Sequence, residues 1–148
     1  MHKILLAVIC LLGFTQCNNK VYSLRDLPPK YIEIGSSGGF AGTANSYYFF
    51  PNGQRFVSKG PMGAIGAADA QEIAPATPKD FKKILKSLKK MDFIDIQLNE
   101  IGNMTYFVIL KTKKDKKVVQ WSNMDTAPEA LVKAYRFALK DINTTAIN

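Results

Sequence analysis

Histidine is nearly missing from this chain: the single one, His2, lies ahead of an apolar N-terminal run. If that segment is cleaved, the mature chain has none. Ser-His-Asp and Cys-His nucleophilic machinery then cannot be assembled, and neither can a zinc site with histidine ligands. Cysteine is as scarce. Cys10 lies inside the apolar run and Cys17 just after it. One remaining thiol cannot build a thiolate cage or an intramolecular disulfide, so the fold must rest on its hydrophobic core. No dense Asp/Asn ladder of the calcium-loop type occurs. No cofactor is implied. Long apolar runs are also lacking: Ile4 to Phe14 is 11 residues, about half of what crosses a ~30 Å hydrocarbon core.

That short run has a different use. Met1-His2-Lys3, the apolar stretch and the polar residues after it have the layout of a secretory signal peptide. Phe14-Thr15-Gln16-Cys17 sits where bacterial lipoproteins carry their lipidated cysteine, the alternative being ordinary cleavage with Cys17 an incidental thiol. The expected organisation is a signal peptide over 1–16, lipidated Cys17 and a polar tether over 17–29, one domain over 30–142, and a frayed tail over 143–148. At 148 residues there is no room for a second core. The expected location is the cell envelope, with the membrane reached through a lipid anchor rather than free secretion.

Charge is unbalanced: 20 Lys and Arg against 12 Asp and Glu give +8, and loss of the leader removes only Lys3. The excess gathers in two places, around Lys79–Lys90 and Lys111–Lys117. A basic surface fits nucleic acid, an anionic membrane or an acidic partner. No aromatic residues are interleaved on the lysine faces, as base stacking would require, and export argues against nucleic acid.

Along the chain, Tyr31-Ile32-Glu33-Ile34 alternates as a strand does, and Ser46 to Phe50 reads as an aromatic strand. Pro51-Asn52-Gly53 predicts a tight turn into Gln54 to Val57, a hairpin. Residues 60–76, rich in Gly, Ala and Pro, read as a long loop. Thr77 is a candidate N-cap, with Pro78 in the first turn and Asp80 at the positive end of the dipole. Phe81, Ile84, Leu85, Leu88 and Met91 then follow at helical spacing, leaving Lys82, Lys83, Lys86, Lys89 and Lys90 as a basic face. Phe93 and Ile94 are expected to continue the inward surface. Met104 to Lys111 is apolar on both faces, which suits a central strand, and Val118 to Trp121 returns as its partner. Thr126 and Glu129 resemble a capping box for a second helix presenting Leu131, Tyr135, Ala138 and Ile142 inward. The expected class is α+β: an antiparallel sheet of four to five strands with two hairpins, packed by two amphipathic helices.

Two constellations invite a chemical reading. Asp92 and Asp95 share a possible helical side, but flanking apolar residues make them solvent-facing rather than an acid/base pair. The segment Ser37-Gly38-Gly39-Phe40-Ala41-Gly42 leads into a strand and not a helix, so the phosphate-loop and dinucleotide readings fail on context. It is either an unusual turn requiring positive φ, or a recognition loop with Phe40 exposed at its tip.

The same hexapeptide resembles the opening signature of the emfourin family, small protein inhibitors of thermolysin-like metalloproteases. Ile84 to Asp95 is similar to that family's helix, Tyr106 to Ile109 to its next strand, and Pro128 to Leu131 to the start of its last helix. The resemblance covers roughly residues 32–139. It implies an α+β domain without catalytic residues whose protein partner is a metalloprotease, bound through Ser37, Gly38, Gly39, Phe40, Ala41 and Gly42. Phe40 would enter the apolar pocket just beyond the scissile bond. The export signal and the small residues over 60–76 depart from the family pattern. The expectation is therefore an exported binding protein and not an enzyme. The alternative is an envelope interaction module docking onto another protein or an acidic polymer through its lysine face.

Overall fold

The computed structural model describes residues 20–61, 70–73, 77–140 and 142. Their order is β1 (Tyr31–Gly38), β2 (Thr43–Phe49), β3 (Arg55–Pro61), β4 (Gln71–Ile73), α1 (Pro78–Lys90), β5 (Met104–Lys111), β6 (Lys116–Trp121) and α2 (Glu129–Lys140). The strands form one sheet in the order β4-β3-β2-β1-β5-β6, antiparallel throughout. The class is α+β, with six strands and two helices. The strand beyond the expected count is β4, inside the stretch read as loop. It has three residues, two of them polar and all at the sheet edge, too few to leave a periodicity in the sequence.

Register decides which residues meet the helices. Ile32 lies opposite both Phe49 and Leu110, Ile34 opposite Tyr47 and Val108, and Val108 opposite Val119, so all share one face. Phe81, Ile84 and Leu88 of α1 and Leu131, Ala134, Tyr135 and Ala138 of α2 join the same cluster, which places both helices on that face. Trp121, fully buried, sits 5.5 Å from the Tyr135 ring at 80° and 6.1 Å from that of Tyr106. Burying each side chain of this size contributes roughly 1.5–3 kcal/mol, which a chain short of disulfides needs. Met104–Lys111 is central as its two apolar faces predict, lying between β1 and β6.

The ends of α1 show how local chemistry sets the path. Asp80 accepts from the Thr77 amide at 3.4 Å and from its hydroxyl at 3.0 Å, and Pro78 occupies the first turn. At the other end Asp92 adopts φ +51°. Its amide donates to the Lys89 carbonyl at 3.2 Å, and that of Phe93 to the Leu88 carbonyl at 3.1 Å. This is a Schellman closure with aspartate in the position glycine usually holds. The reversal turns Phe93 inward, at 1% exposure, and leaves Ile94 outward at 53%, correcting the expectation that both point in.

Two further expectations change. The capping box of α2 does not form: Thr126 donates to the Asn123 carbonyl at 3.5 Å, while Glu129 pairs with Lys133 one turn on. The polar tether is shorter than its composition predicts. Tyr22 and Leu24 pack against Tyr31, Phe50 and Phe56 on the second face of the sheet, and the Tyr22 amide donates to Gln54 Oε1 at 2.8 Å. An aromatic and a leucine among polar neighbours were enough to anchor it. Cys17 and the tail over 143–148 lie outside the described residues, as do 62–69 and 74–76 of the long loop. Among the described residues no helix is long and apolar enough to cross a membrane.

Candidate functional site

The β1–β2 turn is built from glycine geometry. Gly38 ends β1 opposite both Thr43 and Met104, and Gly39 to Gly42 make the reversal. Gly38, Gly39 and Gly42 take φ of +112°, +76° and +56°. The Gly39 amide donates to the Asn103 carbonyl at 2.6 Å, and the Gly42 amide to the Gly39 carbonyl at 3.0 Å. At Gly38 there is no room for a side chain, since a Cβ would stand 2.1 Å from the Asn103 oxygen. The turn requires positive φ, and it holds Phe40 fully exposed at its tip beside exposed Ala41. Ser37 is half-buried at the turn's base. A phenyl ring displayed on a hydrogen-bonded turn is preorganised to enter an apolar pocket, because little loop entropy remains to be lost on binding.

The basic face is elsewhere. Lys82, Lys83, Lys86, Lys89 and Lys90 are all exposed on α1. The ion pairs among the described residues, Lys20–Asp26 and Lys133–Glu129, use none of them. Lys30 Nζ lies 5.9 Å from the Phe81 ring, and α1 ends beside Leu110, which pairs with Ile32. The helix therefore packs over the beginning of β1, whereas the turn follows its end. The structure does not bring the two expected surfaces together. Asp92 and Asp95 are exposed, their link being the Asp95 amide donating to the Asp92 carbonyl at 2.8 Å.

Sequence reasoning passed over two groups. On the second face the half-buried Glu33 accepts from Ser46 Oγ at 3.0 Å and from the Tyr48 hydroxyl. Burial pushes the Glu33 carboxyl above its ordinary range, and burial with the neighbouring carboxylate pushes the Tyr48 hydroxyl up as well. A lone Glu in an alternating strand gave no sign of this, since its partners come from β2. The other group is the segment 99–103, just ahead of β5. It supplies the Asn103 carbonyl that holds Gly39 and presents Ile101 at 78% exposure. An isolated isoleucine between Glu100 and Gly102 was the available signal. Among the described residues no three His, Cys, Asp or Glu side chains gather where a metal could be held.

No protein-family model matches the chain, and no curated protein matches it, so the resemblance to the emfourin family rests on the residues quoted for it.

Proposed function

We propose that this protein is an exported, non-catalytic binding protein whose β1–β2 turn inhibits a thermolysin-like metalloprotease. One observation carries the reading: a turn fixed by Gly38, Gly39 and the Asn103 carbonyl holds the Phe40 ring wholly in solvent. Exposing a phenylalanine at a turn tip is unfavourable in isolation and makes sense as an anchor for an apolar pocket. Such proteases favour a bulky apolar side chain just beyond the scissile bond. Phe40 would fill that pocket while the positive-φ turn departs from the extended shape that cleavage needs.

The anchoring reading adds a direction. The Lys20 carbonyl accepts from Asn52 Nδ2 at 2.9 Å, in the β2–β3 turn. That turn and Phe40 stand at opposite ends of β2, whose 7 residues give a separation of about 20 Å at ~3.4 Å per step. With Cys17 lipidated three residues earlier, Phe40 would point away from the bilayer, toward secreted enzymes.

Protein lacking residues 1–17, titrated against a thermolysin-like enzyme with a peptide substrate, should abolish cleavage near one equivalent. Undiminished turnover at large excess would sink the proposal. The second reading, docking through the lysine face, is favoured by the exposure of all six α1 lysines. It predicts binding that weakens steeply with ionic strength, whereas insertion of Phe40 should change little.

A further inference from the structure

One phenylalanine cannot make an interface. A buried aromatic side chain contributes on the order of 150–250 Å², whereas a stable complex removes roughly 800 Å² from each partner. The remaining area must come from surface continuous with the turn, and the structure offers one such neighbour. Gly38, Gly39 and Gly42 form one wall of a cleft of about 380 Å³ whose other wall is Ile101, Gly102 and Asn103.

The second wall is held as firmly as the first. Ahead of Ile101, the Gln120 amide donates to the Leu98 carbonyl at 3.2 Å and the Glu100 amide to the Gln120 carbonyl at 3.0 Å. Gln120 Nε2 also donates to Asn99 Oδ1 at 2.6 Å, so this stretch runs as a short parallel addition to the edge of β6. After Ile101, the Gly102 amide donates to Thr105 Oγ1 at 3.2 Å. The two turns are joined by the Gly39–Asn103 hydrogen bond. A β-branched apolar side chain, 78% exposed and stitched in place on both sides, has given up its loop entropy without burying its surface.

We infer that Ile101 is a second anchor of the same binding surface, which grips its partner with two apolar side chains astride a cleft lined by backbone and small polar groups. This rests on the inhibitor reading above and specifies its partner. The fitting protein has two neighbouring apolar pockets, one for an aromatic ring and one for a branched aliphatic chain, separated by a ridge narrow enough to enter the cleft. The rim of a protease substrate cleft, with successive apolar subsites, has that form. Gly38, Gly39, Gly42 and Gly102 in the lining keep the cleft clear of bulky side chains at those four positions.

The test is the inhibition constant toward a thermolysin-like enzyme for protein lacking residues 1–17, carrying Ile101→Ala, Ile101→Asp, Phe40→Ala or the distant surface change Phe137→Ala. Ile101→Ala should weaken inhibition about tenfold, as truncating an interface anchor does. Ile101→Asp should weaken it further, and Phe137→Ala should leave it unchanged. Thermal melting of the Phe40 and Ile101 variants should match the parent, since both side chains project from the surface. Weakening by Phe40→Ala with no effect of either Ile101 change would overturn this inference and leave the turn as sole anchor. Failure of the parent protein to inhibit would overturn the inhibitor reading and the second anchor with it.

Discussion

The Gly39 amide donates to the Asn103 carbonyl at 2.6 Å, joining the tip of the first hairpin to the residue just ahead of β5. Residues 64 positions apart in sequence thereby share one rigid corner of the sheet. Its stiffness depends on Gly38, which carries φ +112° with the Asn103 oxygen where a Cβ would be. Gly38→Ala is expected to destabilise the domain by at least about 2 kcal/mol, combining backbone strain with a clash against backbone that cannot move aside. Urea unfolding of the variant beside the parent measures this; an unchanged midpoint would show that the corner is looser than its geometry.

Asp92 should be improvable. It is the one non-glycine residue at positive φ among the described residues, and its side chain is exposed. Asp92→Gly removes the left-handed strain while leaving the Schellman hydrogen bonds in place, so a gain of about 0.5–1 kcal/mol is expected. A fall in melting temperature would mean that the carboxylate makes a contribution that outweighs its backbone cost.

Those two positions also show what was legible in the sequence. Thr77, Pro78 and Asp80 announced the start of α1, and the spacing of Phe81, Ile84 and Leu88 announced its buried face, because helix signals are local. The hairpin through Pro51-Asn52-Gly53 was legible for the same reason, with Gly53 at φ +98°. Ile94 was misread because its direction follows from a reversal at Asp92, a residue type that only sometimes takes that conformation. β4 was missed because pairing to β3, not its own pattern, makes it a strand. Of the candidate site, the positive-φ turn was legible in its glycines, while exposure of Phe40 stood as one of two readings of the segment. Asn103 and Ile101 were not legible, since their placement comes from long-range pairing, of Gly39 with Asn103 and of residues 98–100 with Gln120 of β6.

Glu33 predicts a pH dependence. Its carboxyl is held above its ordinary 4.5 by burial, partly offset by bonds from Ser46 and Tyr48 and by Lys116. The folded state therefore binds this proton more tightly than the unfolded state. The associated stability is present below 4.5 and is lost as pH rises through the folded value. Glu33→Gln mimics the protonated form, so its stability relative to the parent should grow as pH is raised from 4.5 toward neutrality. Melting both proteins across that range checks it; a gap that narrows would contradict the sign.

Trp121 is the single tryptophan and is fully buried against Tyr106 and Tyr135. Its emission should be blue-shifted in the folded protein and move red in one transition coincident with loss of the far-UV signal. Trp121→Ala should cost about 3–5 kcal/mol. A red emission before denaturant is added would place the ring outside the core described above.

The account stands or falls on Phe40. Its ring is exposed, so Phe40→Ala should leave stability within about 0.5 kcal/mol of the parent. The decisive measurement is inhibition of a thermolysin-like enzyme by protein lacking residues 1–17, made with and without that substitution at low and high salt. The expected result is stoichiometric inhibition by the parent, little changed by salt, and a loss of at least tenfold in affinity for the variant, in line with removal of a central aromatic anchor. Full peptide turnover in a large excess of the parent protein would contradict it.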